Sequence, residues 1–215
     1  GILGSLSDTS TTVYTATFTP AADGAATIDV GAAVFTDAYG NNNTAATQFN
    51  WTYDNTGPTM IGIIVDGVGI DLDWTNSTSS LTATWSGFSD TLSGIQKYEY
   101  AIGTSSGGTD VVDWTNNTTD TSVTKAGLTL TNGTIYYLSI RAADNVGNVS
   151  TIVTSDGITI DTDVPIISSV IEGSSTADIN YQNSDTTLII VWVGSDTASG
   201  IAQYEYALGT TAAAS

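Results

Sequence analysis

The 215-residue chain contains no cysteine and no histidine, and lysine and arginine together contribute only three residues. Without cysteine and histidine there is no disulfide, thiolate nucleophile, zinc-finger site or imidazole base. The 22 acidic residues leave a net charge of −19, which excludes nucleic acid as a partner because that affinity comes from cations on phosphates. The same charge argues against anionic lipid surfaces and favours hard cations, particularly calcium.

Helix-forming residues are also scarce, whereas Ser, Thr, Gly and Asn are abundant. Short runs alternate between apolar and polar residues, as in SLTATW (residues 80–85) and YYLSIRAAD (136–144), and turn-forming clusters separate them. This pattern predicts an all-β fold of antiparallel sheets packed as a sandwich. No apolar run of 18 residues occurs, so we expect no membrane insertion in this segment.

A sixteen-residue phrase occurs twice. SDTLSGIQKYEYAIGT (89–104) returns as SDTASGIAQYEYALGT (195–210), with 12 identical positions at an offset of 106 residues. DAYGN and DNVGN, which begin at Asp37 and Asp144, match at an offset of 107, as do DNTGP and DTDVP at Asp54 and Asp161. A fixed period of this length predicts tandem modules of β-sandwich size.

Each proline that follows an aspartate-rich stretch marks a predicted module start, because proline suits the beginning of an edge strand. We name residues 1–56 module one, residues 57–162 module two and residues 163–215 module three. Module two is predicted to be complete, module one to be the C-terminal part of a module and module three the N-terminal part. We therefore expect the chain to be a piece of a longer array, with neighbouring modules as its partners.

Module two resembles a fibronectin type III or bacterial Ig-like domain. The resemblance rests on Trp85, on Tyr98 and Tyr100, and on LTNGTIYYLSIRAADNVGNVS (130–150). It implies that Tyr136 is the corner tyrosine, with its hydroxyl bonded to nearby backbone. Module one resembles a different bacterial Ig-like type through YTATFTPAADGAATIDV and FTDAYGNNN. Period-two spacing predicts one core in module two formed by Leu81, Trp85, Tyr98, Tyr100, Ile102, Tyr136, Leu138 and Ile140.

Two phrases, D-x-x-S-G-I-x-x-Y-E-Y and A-x-D-x-x-G-N, are similar to those in repeats of very large bacterial surface proteins. These include adhesins, swimming and gliding surface proteins, and accessory modules of secreted glycan-degrading enzymes. The resemblance implies a non-catalytic stalk or filament segment at the bacterial cell surface, used in cell adhesion or gliding motility, with an unidentified surface or glycan ligand. Two alternatives stay open: a spacer or glycan-binding module of a secreted carbohydrate-active enzyme, and a filament subunit joined by strand exchange.

Acidic residues fall at the predicted module junctions. In such a sandwich the B–C and F–G loops lie beside the incoming linker, which brings together Asp54 (linker), Asp90 (B–C) and Asp144 (F–G). The same reasoning groups Asp161, Asp163 and Asp196 at the second junction. Calcium would bridge carboxylates gathered in this way. The other interpretation is that these aspartates only cap turns through local backbone bonds.

The remaining candidates are aromatic or acidic residues with ordinary structural explanations. Trp51, Trp85 and Trp192 lie on apolar faces and are predicted to be core, whereas Trp74 and Trp114 are candidates for stacking on sugars. Glu99 and Lys97 share an outward face and are predicted to be a solvated ion pair. Asp71 and Asp73 lie near a predicted loop. A glycosidase needs two carboxyl groups facing each other across a cleft, so we predict that the chain is not an enzyme.

Overall fold

The computed structural model describes residues 1–10, 12–173, 178–184 and 186–209. Every regular secondary-structure element within these ranges is a β-strand, which confirms the all-β prediction. None of the described segments is a helix long and apolar enough to cross a membrane. Module one contributes six strands: β1 Ile2–Leu3, β2 Ser7–Ser10, β3 Val13–Thr15, β4 Phe18–Thr19, β5 Gly24–Ile28 and β6 Phe49–Tyr53.

Module two contains eleven strands. They are β7 Thr59–Met60, β8 Ile64–Asp66, β9 Trp74–Thr75, β10 Ser80–Trp85, β11 Phe88–Ser89, β12 Ile95–Gly103, β13 Val112–Asn116, β14 Ser122–Ala126, β15 Ile135–Asp144, β16 Val153–Thr154 and β17 Ile158–Ile160. One sheet has the order β14-β10-β8, and the other has the order β13-β12-β15-β17-β9, with β16 also paired to β15. The strand pairs are antiparallel apart from β9 and β17, which run parallel.

The first stretch of module two, from β7 to β9 (residues 59–75), passes from one sheet of the sandwich to the other. Strand β8 pairs with β10 in one sheet, and after a loop (67–73) strand β9 pairs with β17 in the other. Strand β7, which precedes the change, pairs with the short β11. This arrangement places β9, which ends the first stretch of the module, beside the last strand β17 at one edge of the sandwich.

The two sheets of module two enclose one hydrophobic core. All eight residues predicted for it are buried in a single cluster, together with Ile64, Ala83, Phe88, Leu130, Ala142, Ile158 and Ile160. The assigned faces are therefore correct, because a shift of one residue would have turned every one of these side chains outward. The hydroxyl of Tyr136 accepts a hydrogen bond from the backbone N–H of Thr131 at 3.0 Å, as the resemblance implied.

Module three repeats the first strand pairing of module two. Its strands β18 Ile166–Glu172 and β19 Ile190–Ser195 are antiparallel. Trp192 lies opposite Val170, just as Trp85 lies opposite Ile64 in module two. Glu172 likewise lies opposite Ile190 where module two pairs Asp66 with Ala83. The register thus makes Glu172 the counterpart of Asp66.

Candidate functional site

The linker between modules one and two is hydrogen-bonded to two loops of module two. Asp54 accepts the backbone N–H of Thr56 on Oδ1 and that of Ser93 on Oδ2, each at 3.1 Å. Ser93 belongs to the B–C loop (90–94). From the F–G loop (145–152), Asn148 Nδ2 donates to the backbone carbonyl of Asp54 at 3.3 Å. These bonds hold the linker against the end of the sandwich that it enters.

The same linker is also bonded to module one. Asp23 Oδ1 accepts the backbone N–H of Asn55 at 2.9 Å, and Asp23 Oδ2 accepts the hydroxyl of Thr56. Sequence reasoning missed Asp23, because ADG (22–24) indicates only a turn and nothing local shows that it contacts residues more than thirty positions away. The linker is therefore held from both sides.

The second linker repeats this arrangement. Asn132 of module two takes the place of Asp23: its Oδ1 accepts the N–H of Thr162 at 2.8 Å and its Nδ2 donates to Asp163 Oδ1 at 3.0 Å. Asp161 takes the place of Asp54, accepting the N–H of Asp163 at 2.9 Å and that of Ser199 at 3.0 Å. We call each set of bonds, from the preceding module through the linker aspartate to the B–C loop, a linker clamp.

The carboxylates gather at the first junction and not at the second. Asp54, Asp90 and Asp144 each offer an oxygen within 4.8 Å of the other two. In the described part of the chain, Asp161, Asp163 and Asp196 do not form such a group. At the second junction Asn132 holds the side chain of Asp163 against the preceding module.

Turn chemistry accounts for much of the bonding of these aspartates. Asp90 Oδ1 accepts the backbone N–H groups of Leu92, Ser93 and Gly94 at 3.1, 2.9 and 2.7 Å. Asp196 Oδ1 does the same for Ala198 and Gly200 in module three. Both interpretations made from sequence are thus compatible with the first junction: the carboxylates cap turns, and they also lie close to one another.

The D-x-x-G-N phrase forms one kind of turn in two modules. Asp144 accepts the N–H groups of Val146, Gly147 and Asn148 on Oδ1 and the Asn148 amide on Oδ2. Asp37 makes matching bonds to Tyr39 and Asn41 in module one. Burial opposes ionisation of Asp144, but the bonds from Asn148 and the loop backbone outweigh it and hold its pKa below the ordinary value. Asp144 therefore stays ionised at neutral pH.

The linker aspartate of the second junction is also kept in its charged form. Hydrogen bonding by Ser199 is the largest cause that lowers the pKa of Asp161, followed by the backbone N–H of Asp163. A charged carboxylate is the stronger hydrogen-bond acceptor. The bond between linker and B–C loop is consequently charge-assisted at neutral pH.

Of the other candidate residues from the sequence, Glu99 makes ion pairs and most of the tryptophans contact neighbouring side chains. Glu99 binds Lys97 at 2.6 Å and Arg141 at 2.7 Å, and the Arg141 guanidinium covers the ring of Trp114 at 4.3 Å from its centroid. That contact occupies one face of the Trp114 ring. Trp74 is 39% exposed at the edge strand β9. Trp51 packs edge-on against Phe18 and Tyr53, and Trp192 packs against Tyr204 and Tyr206.

A second group of carboxylates lies away from the junctions. Asp66, Asp71 and Asp156 also offer oxygens within 4.8 Å of one another. Asp71 had been assigned to an ordinary loop, and Asp66 and Asp156 were missed. The available signal was the isolated acid in IIVDG (63–67), where a charged residue ends an apolar strand.

The sandwich of module two and the clamped linkers place the chain in the Ig-like class of β-sandwich folds. Residues 1–53 match the family model of a bacterial Ig-like domain, which confirms the Ig-like resemblance for that segment. Domains of this family are typically non-catalytic structural modules of extracellular or surface proteins. Comparison of the chain with curated proteins gave no match.

Proposed function

We propose that the chain is a structural segment of a long extracellular bacterial adhesin, in which repeated sandwich modules form a stalk or filament. The linker clamp is the observation that carries this proposal. Asp54 to Ser93 and Asp161 to Ser199 are equivalent bonds at 3.1 and 3.0 Å. A linker bonded on both sides in the same way at each junction orients successive modules alike, and an extended stalk requires this.

The charge and composition of the chain agree with this role. A net charge of −19 keeps an extended array soluble and makes its modules repel one another. Residues 1–53 are also similar to a bacterial Ig-like domain, and domains of this family commonly serve as modules of such arrays. Module two has its own core, separate from the linkers, so stiffness between modules depends on the clamps.

Calcium is proposed as a stiffening ligand of the first junction. Asp54, Asp90 and Asp144 supply three carboxylates within 4.8 Å, and calcium binds six to eight oxygens of this kind. An ion there would join the linker to both loops and would relieve the repulsion among three acids. Asp161, Asp163 and Asp196 would bind an ion at the second junction only if Asp163 turned away from Asn132.

The calcium proposal can be tested without disturbing the turns. Asp90→Asn removes the charge but retains the Oδ1 acceptor on which the B–C turn depends. Asp37→Asn makes the same change in a module-one turn and serves as the matched control, since Asp37 belongs to neither carboxylate group of the described residues. We expect calcium to narrow the range of interdomain angles seen by small-angle scattering in wild type and Asp37→Asn, and not in Asp90→Asn. An identical response in all three would contradict the site.

The surface role is tested in cells of the source bacterium. Antibody raised against the 215-residue chain should label intact cells in immunogold electron microscopy, on structures that extend from the envelope. Label found only after permeabilisation would contradict the proposal. A parent polypeptide that also carries a glycan-degrading catalytic domain would favour the spacer alternative instead.

A further inference from the structure

Strand β8 ends at a buried acid. Asp66 has no solvent exposure, and it lies where the chain leaves one sheet of module two for the other. Its Oδ2 accepts the backbone N–H of Gly157 at 3.2 Å, but its Oδ1 is buried without a hydrogen-bond partner. A buried carboxylate oxygen without a partner is costly in a folded protein and calls for an explanation.

Two more carboxylates converge on Asp66 from different parts of the chain. Asp71 comes from the loop after β8 and Asp156 from the turn between β16 and β17, and all three offer oxygens within 4.8 Å of one another. Asp71 Oδ1 also accepts the backbone N–H of Asp66 at 2.9 Å. Burial raises the pKa of Asp66 to about 6, and the charges of Asp71 and Asp156 raise it further, against the lowering influence of nearby Ser155 and of the Gly157 N–H.

We propose that Asp66, Asp71 and Asp156 bind one divalent cation of the calcium class at the point between β8 and β9 where the chain changes sheets. Oxygens bound to one calcium ion lie about 2.3–2.6 Å from it, so two such oxygens are separated by at most about 5 Å. The observed spacing satisfies this limit. The ion gives the buried Oδ1 of Asp66 the partner it lacks and neutralises the repulsion among the three acids.

Module three retains two of these three acids in the same arrangement. Glu172 occupies the register position of Asp66, and its N–H donates to Asp178 Oδ1 at 3.3 Å, as the N–H of Asp66 does to Asp71. The carbonyl of Glu172 accepts the N–H of Ile179 at 3.2 Å, and that of Asp66 accepts the N–H of Leu72 at 2.8 Å. A backbone bond alone does not require an acid at position 66 or 172, whereas a cation site does.

The site would fasten the first stretch of the module, at the end of β8, to the approach to its last strand β17. Asp66 ends β8, Asp156 lies two residues before the start of β17, and β9 runs parallel to β17 beyond them. Force applied along an array enters each module through its first strand and leaves through its last. The mechanical role of the ion therefore rests on the proposed stalk function, whereas binding of the ion does not.

The binding test uses two matched substitutions in the 215-residue chain. Asp156→Asn replaces one proposed carboxylate ligand by a neutral amide at an exposed position, and Asp73→Asn removes the same charge from an exposed residue two positions from Asp71. In calorimetric titration with calcium at fixed ionic strength, one binding event should weaken by about tenfold or more in Asp156→Asn and stay unchanged in Asp73→Asn. Asp90→Asn should leave this event intact. Equal binding by Asp156→Asn and Asp73→Asn, or no binding by wild type up to millimolar calcium, would overturn the proposal.

Thermal melting supplies a second readout. In chelator, Asp66→Asn should melt at or above the wild-type temperature, because it removes a buried charge. In calcium it should melt below wild type, because only the wild type gains from the ion. The same ranking of the two proteins under both conditions would contradict the site. If Asp66→Asn does not fold, the titration of Asp156→Asn still decides the question. Because these assays measure binding and not surface display, their failure is distinct from failure of the stalk proposal.

Discussion

Trp85 is the residue whose truncation tests the sandwich most severely. Its side chain is 4% exposed, and its ring meets that of Tyr98 edge-on at 5.7 Å with an interplanar angle of 73°. Replacing a buried tryptophan by alanine costs about 3–5 kcal/mol, of which the aromatic pair accounts for about 0.5–1.5 kcal/mol. We expect Trp85→Ala to lower the free energy of unfolding of module two by that amount.

A second substitution at position 85 separates the effect of losing the side-chain volume from the effect of losing the polar indole N–H. The indole Nε1 of Trp85 is buried without a partner, and such a group costs about 1–3 kcal/mol. Trp85→Phe removes this group and retains an aromatic ring against Tyr98. Its loss of stability should therefore be only about 1 kcal/mol, far less than that of Trp85→Ala.

The assay should report on module two alone. Hydrogen exchange of the amides in β12 and β15 during urea unfolding measures the stability of the strands that contact Trp85. Trp74→Ala is the control, since Trp74 is 39% exposed and should cost less than about 2 kcal/mol. A loss below about 1 kcal/mol for Trp85→Ala, or equal losses for the two alanine variants, would refute the assignment of Trp85 to the core.

Two further predictions concern polar contacts of the same module. Tyr136→Phe leaves the N–H of Thr131 without its acceptor and should cost about 1–2 kcal/mol in thermal or urea unfolding; unchanged stability would contradict the corner assignment. Hydrogen bonding by Lys97, opposed by burial and aided by Arg141, holds the pKa of Glu99 below its ordinary value of 4.5. The ionised Glu99 network therefore contributes about 1 kcal/mol to the free energy of unfolding, as expected of a partly exposed network. This contribution is fully present above pH 4.5 and is lost as the pH falls through the lowered pKa. Glu99→Gln should flatten that part of the stability profile, and a profile parallel to wild type would contradict the network.

The sandwich was predictable because alternation along a strand is a local signal. Trp85, Tyr98 and Tyr136 each lie on the apolar face of a run whose other face is polar, so their burial follows from spacing two residues apart. The proximity of Asp54, Asp90 and Asp144 was predictable for a different reason. The repeat aligns them with a fold whose loops and linker meet at one end.

Other parts of the site depend on contacts that no local pattern encodes. Asp23 and Asn132 bind linkers about thirty residues away, and a turn signal does not reveal a distant partner. Asp163 was grouped with Asp161 because both belong to the second linker, but the amide of Asn132 binds the side chain of Asp163. Asp66 was missed because an acid at the end of an apolar strand is indistinguishable in sequence from an ordinary strand terminus.

Linker clamps that hold successive modules in a fixed relation must also fix the distances between those modules, and these distances can be measured directly. The absence of native cysteine allows spin labels to be placed cleanly at Thr27→Cys in module one and Thr119→Cys in module two, both exposed. Double electron–electron resonance should give one narrow distance distribution for this labelled chain. Adding Asp54→Ala, which removes the acceptor for Thr56 and Ser93, should broaden the distribution, whereas the exposed control Asp8→Ala should not. A distribution that is already broad without Asp54→Ala, or that Asp54→Ala leaves unchanged, would contradict the clamp.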